Sequence, residues 1–220
     1  MEIFEIEGLK FHVRTSRDKD VITGEILKDP YRLIQNKCKF LVDIGGHIGG
    51  TAIYCASKGA TVQVYEPLKV NYDLLIENIK LNNLEDKITA FRKAISNTNS
   101  QTKLYLHEWD NASTSLYKNN SGGLTDKYEI VETITIKEVF RNIQHCDYLK
   151  IDCEGGEYDF IPYIGKKLVQ KIDKISMELH LIHGKNDKKI FEHLNKFYQT
   201  GIKRYPQNHA YLVYCYQKRC

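Results

Sequence analysis

A chain of 220 residues with 42% apolar and 27% charged side chains has room for one domain with a sizeable core. Its net charge of +4 is spread over lysines on helical segments, which excludes the dense basic face of a nucleic-acid binder, and no apolar run approaches the ~20 residues of a membrane span. Six cysteines (Cys38, Cys55, Cys146, Cys153, Cys215, Cys220) occur without a C-x-x-C pair, which is neither a disulfide framework nor a zinc pattern and favours a reducing cytoplasm.

Residues 1–13 alternate as a hairpin, with Ile3, Ile6 or Phe4 inward, a turn at Glu7-Gly8, then Leu9, Phe11 and Val13. This acidic, alternating start reads as a strand and not as a signal peptide. Arg14 to Asp20 reads as a polar loop; Arg14, Thr15 and Asp18 are either plain surface or contacts on the substrate side. Asp20 caps a predicted helix from Val21 to Leu27, which stops at Asp29-Pro30. Residues 1–38 thus form a hairpin and helix flank or lid, ahead of a main domain over 39–220.

From Lys39 the chain alternates strand and helix: strand 40–43, helix 49–58, strand 61–65, helix 68–81, then strand 88–92 running into Ala94-Ile95. Short, continuously apolar strands suit a parallel sheet buried on both faces. Residues 97–134 break the pattern with a strand over 102–107, turn-rich stretches at Asp110–Leu116 and Asn119–Gly123, and a strand over 128–134. A polar insertion of this length suits closure over a substrate. There follow a helix over 136–142 capped by Thr135, a strand ending in Asp152, a strand over 174–180, a helix over 187–199 and strands over 201–205 and 210–216, the last an antiparallel partner at the sheet edge.

The chemistry sits at three strand ends. Phe40-Leu41-Val42-Asp43 runs into Ile44-Gly45-Gly46-His47-Ile48-Gly49-Gly50, a glycine turn before a helix, the arrangement that aims backbone N–H groups and a helix dipole at a small molecule. The dinucleotide fingerprint G-x-G-x-x-G fails in either register, because His47 or Ile48 takes the place of its second glycine. What stands there is Asp43-x-Gly45-x-x-x-Gly49, the spacing of S-adenosylmethionine (SAM) enzymes, and Glu66 closes the next strand, where a carboxylate accepts ribose hydroxyls. Ala94 and Ile95 fall at the edge that commonly faces an adenine base in nucleotide-binding sheets, although two apolar residues at a strand end are more often plain core. The second end is Asp152-Cys153-Glu154-Gly155-Gly156-Glu157, three carboxylates whose repulsion should raise at least one pKa, although Glu154 and Glu157 also fit as helix N-terminal acids favoured by the dipole. The third is Glu178-Leu179-His180, where a histidine at a crevice could serve as base or metal ligand.

Val42 to Gly49, Tyr65-Glu66-Pro67, Asn78 to Asn83, Leu149-Lys150-Ile151-Asp152-Cys153-Glu154-Gly155-Gly156-Glu157-Tyr158 and Met177-Glu178-Leu179-His180 together resemble the FkbM family of SAM-dependent methyltransferases, over about residues 12–182. The chain departs at His47, where that family often carries Asn, and at Gly50, where a larger residue is common. The resemblance implies a Rossmann-like class I methyltransferase: an α/β fold with a seven-stranded, mostly parallel sheet, helices on both faces and an antiparallel edge hairpin. It also implies O-methylation of a small-molecule acceptor, typically a sugar hydroxyl.

On that reading Gly45, Gly46, His47 and Gly49 face the methionine side of SAM, Asp43 takes its ammonium directly or through water, and Glu66 with Pro67 holds the ribose. Asp152 is the first candidate for the base, His180 the second, and Glu154 orients one or the other. Alternatively Asp152, Glu154 and His180 bind Mg²⁺ or Mn²⁺, which acidifies the hydroxyl; the metal-free route ranks ahead. An RNA or protein methyltransferase would share the cofactor site but would call for a basic, aromatic face. A non-catalytic SAM-binding protein would not need all three of Asp152, Glu154 and His180.

Overall fold

The computed structural model describes residues 1–33, 38–118, 123–204 and 210–218. The turn-rich residues 119–122, residues 34–37 of the N-terminal flank, the last residue of the strand predicted over 201–205, and Cys220 lie outside them.

In chain order the elements are β1 (Glu2–Ile6), β2 (Leu9–Val13), α1 (Ser16–Lys28), β3 (Phe40–Ile44), α2 (Gly50–Ser57), β4 (Thr61–Tyr65), α3 (Lys69–Leu81), β5 (Ile88–Phe91), β6 (Ala94–Ser96), β7 (Ser100–His107) and β8 (Leu124–Thr135). The chain continues through α4 (Ile136–Val139), β9 (Cys146–Ile151), α5 (Glu157–Phe160), α6 (Lys166–Val169), β10 (Ile172–His180), α7 (Asp187–Asn195), β11 (Tyr198–Arg204) and β12 (Ala210–Gln217). Among the described residues seven strands form the main sheet in the order β11-β12-β10-β9-β3-β4-β5. Only β12 runs against the others, and it lies one strand in from the edge, between β10 and β11.

Alternation along the central strands sends side chains to two cores. Val42 and Ile44 join Leu149, Ile151, Met177 and Phe160 on one face. Leu41 joins Ile53, Val64, Leu75 and Tyr148 on the other. Phe11, Val13, Ile22 and Ile26 belong to that second core, so the N-terminal hairpin and helix are welded to the sheet. Phe4 and Ile6 pack inward against it while Ile3 is exposed.

Several elements differ from the sequence reading. The first helix begins at Ser16, not Val21, because Thr15 and not Asp20 is its cap: the Thr15 hydroxyl accepts from Asp18 N, and Asp18 in turn accepts from Arg14 N at 2.8 Å. Strand 88–92 does not run on into Ala94-Ile95. β6 leaves the main sheet and pairs with β8, which with β7 makes a separate three-stranded sheet from the inserted region. The helices predicted over 136–142 and 187–199 stop early, the second because Tyr198 is fully buried as the first residue of β11. No helix among the described residues is long and apolar enough to cross a membrane.

Register places the site. Ile44 pairs with both Tyr65 and Ile151, and Met177 pairs with Ile151. Glu66, Gly45, Asp152 and Glu178 are therefore the next residues along four neighbouring strands. The strand order turns back between β3 and β9, the switch point at which open α/β sheets bind ligands beyond their carboxyl ends.

Candidate active site

A cavity of about 500 Å³ opens over that row, within the ~300–1,000 Å³ range of small-molecule sites. Of the residues singled out in the sequence, Gly45, His47, Glu66, Pro67, Ala94, Ile95, Asp152, Glu154 and His180 line it. Asp43, Gly46 and Gly49 do not.

The glycines answer to the protein itself. Gly45, at φ +82°, lies so close to the end of β9 that a Cβ would stand 1.6 Å from the Asp152 carbonyl oxygen. A Cβ on Gly46 would strike Val64, and one on Gly49 would strike Leu75 and Ile53. The turn is glycine-rich because it is wedged between β4, β9 and α3, and only Gly45 also offers bare backbone to the cavity.

Asp43 is the clearest departure. It is fully buried, directly opposite Lys150 across β3 and β9, with Lys150 Nζ 3.0 Å from its Oδ1. Lys150 Nζ also donates to the Gly45 carbonyl at 2.7 Å. Burial opposes the charge on Lys150, but Asp43, Asp152 and Glu25 outweigh it and hold the proton on. The pair is an internal clamp that joins the two central strands and pins the glycine turn.

Glu66 is a buried carboxylate held by the protein on both oxygens. Oε2 accepts from His47 N at 3.0 Å, and Oε1 accepts from Leu68 N at 3.0 Å and from Asn71 Nδ2. Burial lifts its pKa to about 7 against these bonds. His47 sits at φ +47° with its imidazole beside Asp18, which also binds Arg14. Arg14, Thr15 and Asp18 do not line the cavity; they cap α1 and hold His47.

At the other end His180 is the hub. Its Nδ1 donates to Glu157 Oε1 at 3.1 Å, and its Nε2 lies 3.4 Å from Glu154, 3.8 Å from Glu178 and 3.9 Å from Asp152. Burial works against the imidazolium, but Glu154 and Glu157 lead a ring of carboxylates that hold its pKa well above the ordinary value. Burial pushes Glu154 up to about 8 and Glu178 to about 7. Asp152, Glu154 and His180 bring ligand atoms within 4.8 Å of one another, close enough to share a cation.

Two contributors, Tyr31 and Glu25, are absent from the sequence reading, and a third, Glu157, is named there without its partner. Tyr31, from the segment after α1, donates its phenol to Asp152 Oδ2 at 2.6 Å. Glu25 reaches the cavity from α1. Glu157, an apparent helix N-terminal acid, is fully buried and carries His180. The inserted region closes the rim: Arg17 Nε donates to Asp110 Oδ2 at 3.1 Å, Asn71 Nδ2 to the Asn111 carbonyl at 2.9 Å, and Ser115 to the Glu154 carbonyl.

The FkbM methyltransferase domain model matches residues 43–211. This chain belongs to the FkbM methyltransferase family. No curated protein matches it. Solved structures of similar fold include TYW2 of P. horikoshii in complex with MeSAdo (15% identity, 98% of this chain and 70% of that one, TM-score 0.53). The ribosomal protein L11 methylase of Lactobacillus delbrueckii subsp. bulgaricus (14%, 90% and 80%, 0.51) and the O-methyltransferase of Bacillus cereus in complex with SAH (12%, 94% and 83%, 0.50) share it too. At such identities the likeness is one of fold: the α/β sheet of the Rossmann-like methyltransferases.

The buried acids give this methyltransferase a testable pH dependence. Glu25, Glu66, Glu154 and Glu178 all have folded pKa values of about 7 to 8, above their unfolded value. The folded state then binds more protons than the unfolded one between about pH 4.5 and 8, so stability falls as pH rises through that window. His180, also raised, acts in the same direction. The ligand-free protein is expected to melt at a higher temperature at pH 6 than at pH 8.5, measured by scanning calorimetry; equal melting at the two pH values would show that these groups ionise as freely as in the unfolded chain, and the reverse order that their folded pKa values are lowered.

Proposed function

We propose that this FkbM methyltransferase transfers a methyl group from SAM to a hydroxyl of a small molecule, with sugars the first acceptor class to consider. The observation that carries the reading is Asp152, a hydrogen-bonded carboxylate facing the cavity on the same strand-end row as Glu66.

The cavity fits the donor chemically. Glu66 keeps lone pairs for ribose hydroxyls, Ala94, Ile95 and Leu104 form an apolar wall for a purine, and Gly45 presents bare backbone. When bound, SAM supplies an electrophilic methyl on a cationic sulfur. The chain's task is to align a hydroxyl and take its proton. Tyr31 fixes Asp152 through Oδ2, and Oδ1, on the His180 side, takes the acceptor's proton. His180 already holds its proton between Glu154 and Glu157, so it positions Asp152 and does not act as the base. That imidazolium also balances the carboxylates, which is why the metal-free route ranks above Mg²⁺ or Mn²⁺ at Asp152, Glu154 and His180. Cys38, Cys55, Cys146, Cys153 and Cys215 are free thiols, in keeping with a reducing cytoplasm.

Calorimetric titration with SAM, with NAD⁺ as control and with and without Mg²⁺, tests the reading, followed by an acceptor screen starting with sugars. Binding of SAM alone, independent of Mg²⁺, is the expected result; a folded, ligand-free sample silent to SAM would overturn it. Glu66→Ala is expected to weaken SAM binding by about tenfold to a hundredfold. It should also destabilise the fold by ~1–3 kcal/mol, because His47 N and Leu68 N lose their acceptor. Unchanged SAM affinity in a folded variant would remove Glu66 from the ribose.

A further inference from the structure

We infer that Glu25, and not Asp43, receives the α-ammonium of the methyl donor, an inference that rests on the SAM reading above. Asp43 is closed off: it is fully buried, is already matched by Lys150, and does not line the cavity. Glu25 comes to the same Gly45 end of the cavity from α1. Its Oε2 accepts from Thr51 N at 3.2 Å, in the first turn of α2, while Oε1 has no hydrogen-bond or ion-pair partner among the described residues.

The placement depends on the glycine at position 50, at the start of α2. A Cβ on Gly50 would stand 2.1 Å from Glu25 Oε2, so the missing side chain at 50 is the space the carboxylate occupies. Of the other acids that line the cavity, Asp152 binds Tyr31, Asp152, Glu154 and Glu178 share His180, Glu66 is held by His47 N and Leu68 N, and Asp20 is exposed to solvent. Among the described residues Glu25 forms no ion pair, and burial lifts its pKa to about 7 against the opposing charge of Lys150. A desolvated carboxylate that lines the cavity, with one oxygen unpartnered among the described residues, is a receptor for a small N–H cation, and such a charge-assisted bond is about twice as strong as a neutral one. Of the donor's groups, the α-ammonium is the one that matches. The sulfonium has no N–H to offer, and the adenine belongs against Ala94 and Ile95.

Glu25→Gln is tested against two ligands by calorimetry: SAM, and 5′-methylthioadenosine, which keeps the adenosine and sulfur but has no amino-acid portion. The SAM Kd is expected to rise about tenfold to a hundredfold, and the methylthioadenosine Kd to stay within about twofold. Gly50→Ala, which leaves Glu25 in place but displaces its carboxylate, should show the same split and decides the matter if Glu25→Gln fails to fold. Equal losses for both ligands would make Glu25 a structural cap on α2, and no loss for either would leave it without a role; each overturns the inference while the SAM reading stands. Wild-type protein that binds neither ligand would overturn the SAM reading, and this inference with it.

Discussion

Asp152→Asn is expected to lower turnover by about 10²–10⁴-fold while SAM affinity stays within a few-fold of wild type. Asparagine matches the carboxylate in shape and can still accept the Tyr31 hydroxyl, so the strand end and the cavity wall persist. What it loses is the capacity to take a proton. Single-turnover rates set beside calorimetric affinities separate the two effects. Equal losses in both would make Asp152 a binding residue. The pH profile distinguishes the bases: with His180 already charged, the rate should not climb through the ordinary histidine range near pH 6.5. A climb there in wild type, with Asp152→Asn nearly as active, would move the role to His180.

Lys150→Met is expected to cost ~3–5 kcal/mol of folding stability, a large share of the ~5–15 kcal/mol typical of a domain. The lysine and its partner Asp43 are both fully buried, and removing one leaves a charge in the core with no counterion. The Gly45 carbonyl loses its donor in the same step. Adding Asp43→Asn to Lys150→Met should recover much of the loss, because the buried charge is then gone. Urea unfolding of the two single variants and the double variant gives the coupling directly. A midpoint unmoved by Lys150→Met would mean that the pair does not tie β3 to β9.

Asp43 shows both the reach of sequence patterning and where it stops. Its place in Asp43-x-Gly45-x-x-x-Gly49 marks the strand end correctly, yet its direction follows from sheet register. A signal was available: Asp43 and Lys150 each stand one residue before the last of their strands, so paired strand ends bring them opposite one another. Thr15-x-x-Asp18 is similarly a capping pattern, and reading it moves the start of α1 to Ser16. Tyr31 on Asp152 carries no local signal, since the partners are 121 residues apart.

The sequence by itself determined the alternation of strands and helices, the strand ends that carry Gly45, Glu66 and Asp152, and the family. These are local properties: strands buried on both faces must be continuously apolar, and the tight Gly45 turn at positive φ needs glycine. Only the tertiary structure decided which acids face the cavity and which are consumed in holding it together. Asp43 is matched inside by Lys150, Glu157 is fixed on His180, and Glu25 enters over Gly50 from a helix outside the sheet. A carboxylate's role depends on the charges and the solvent it meets in space, and those come from segments that spacing along the chain does not relate.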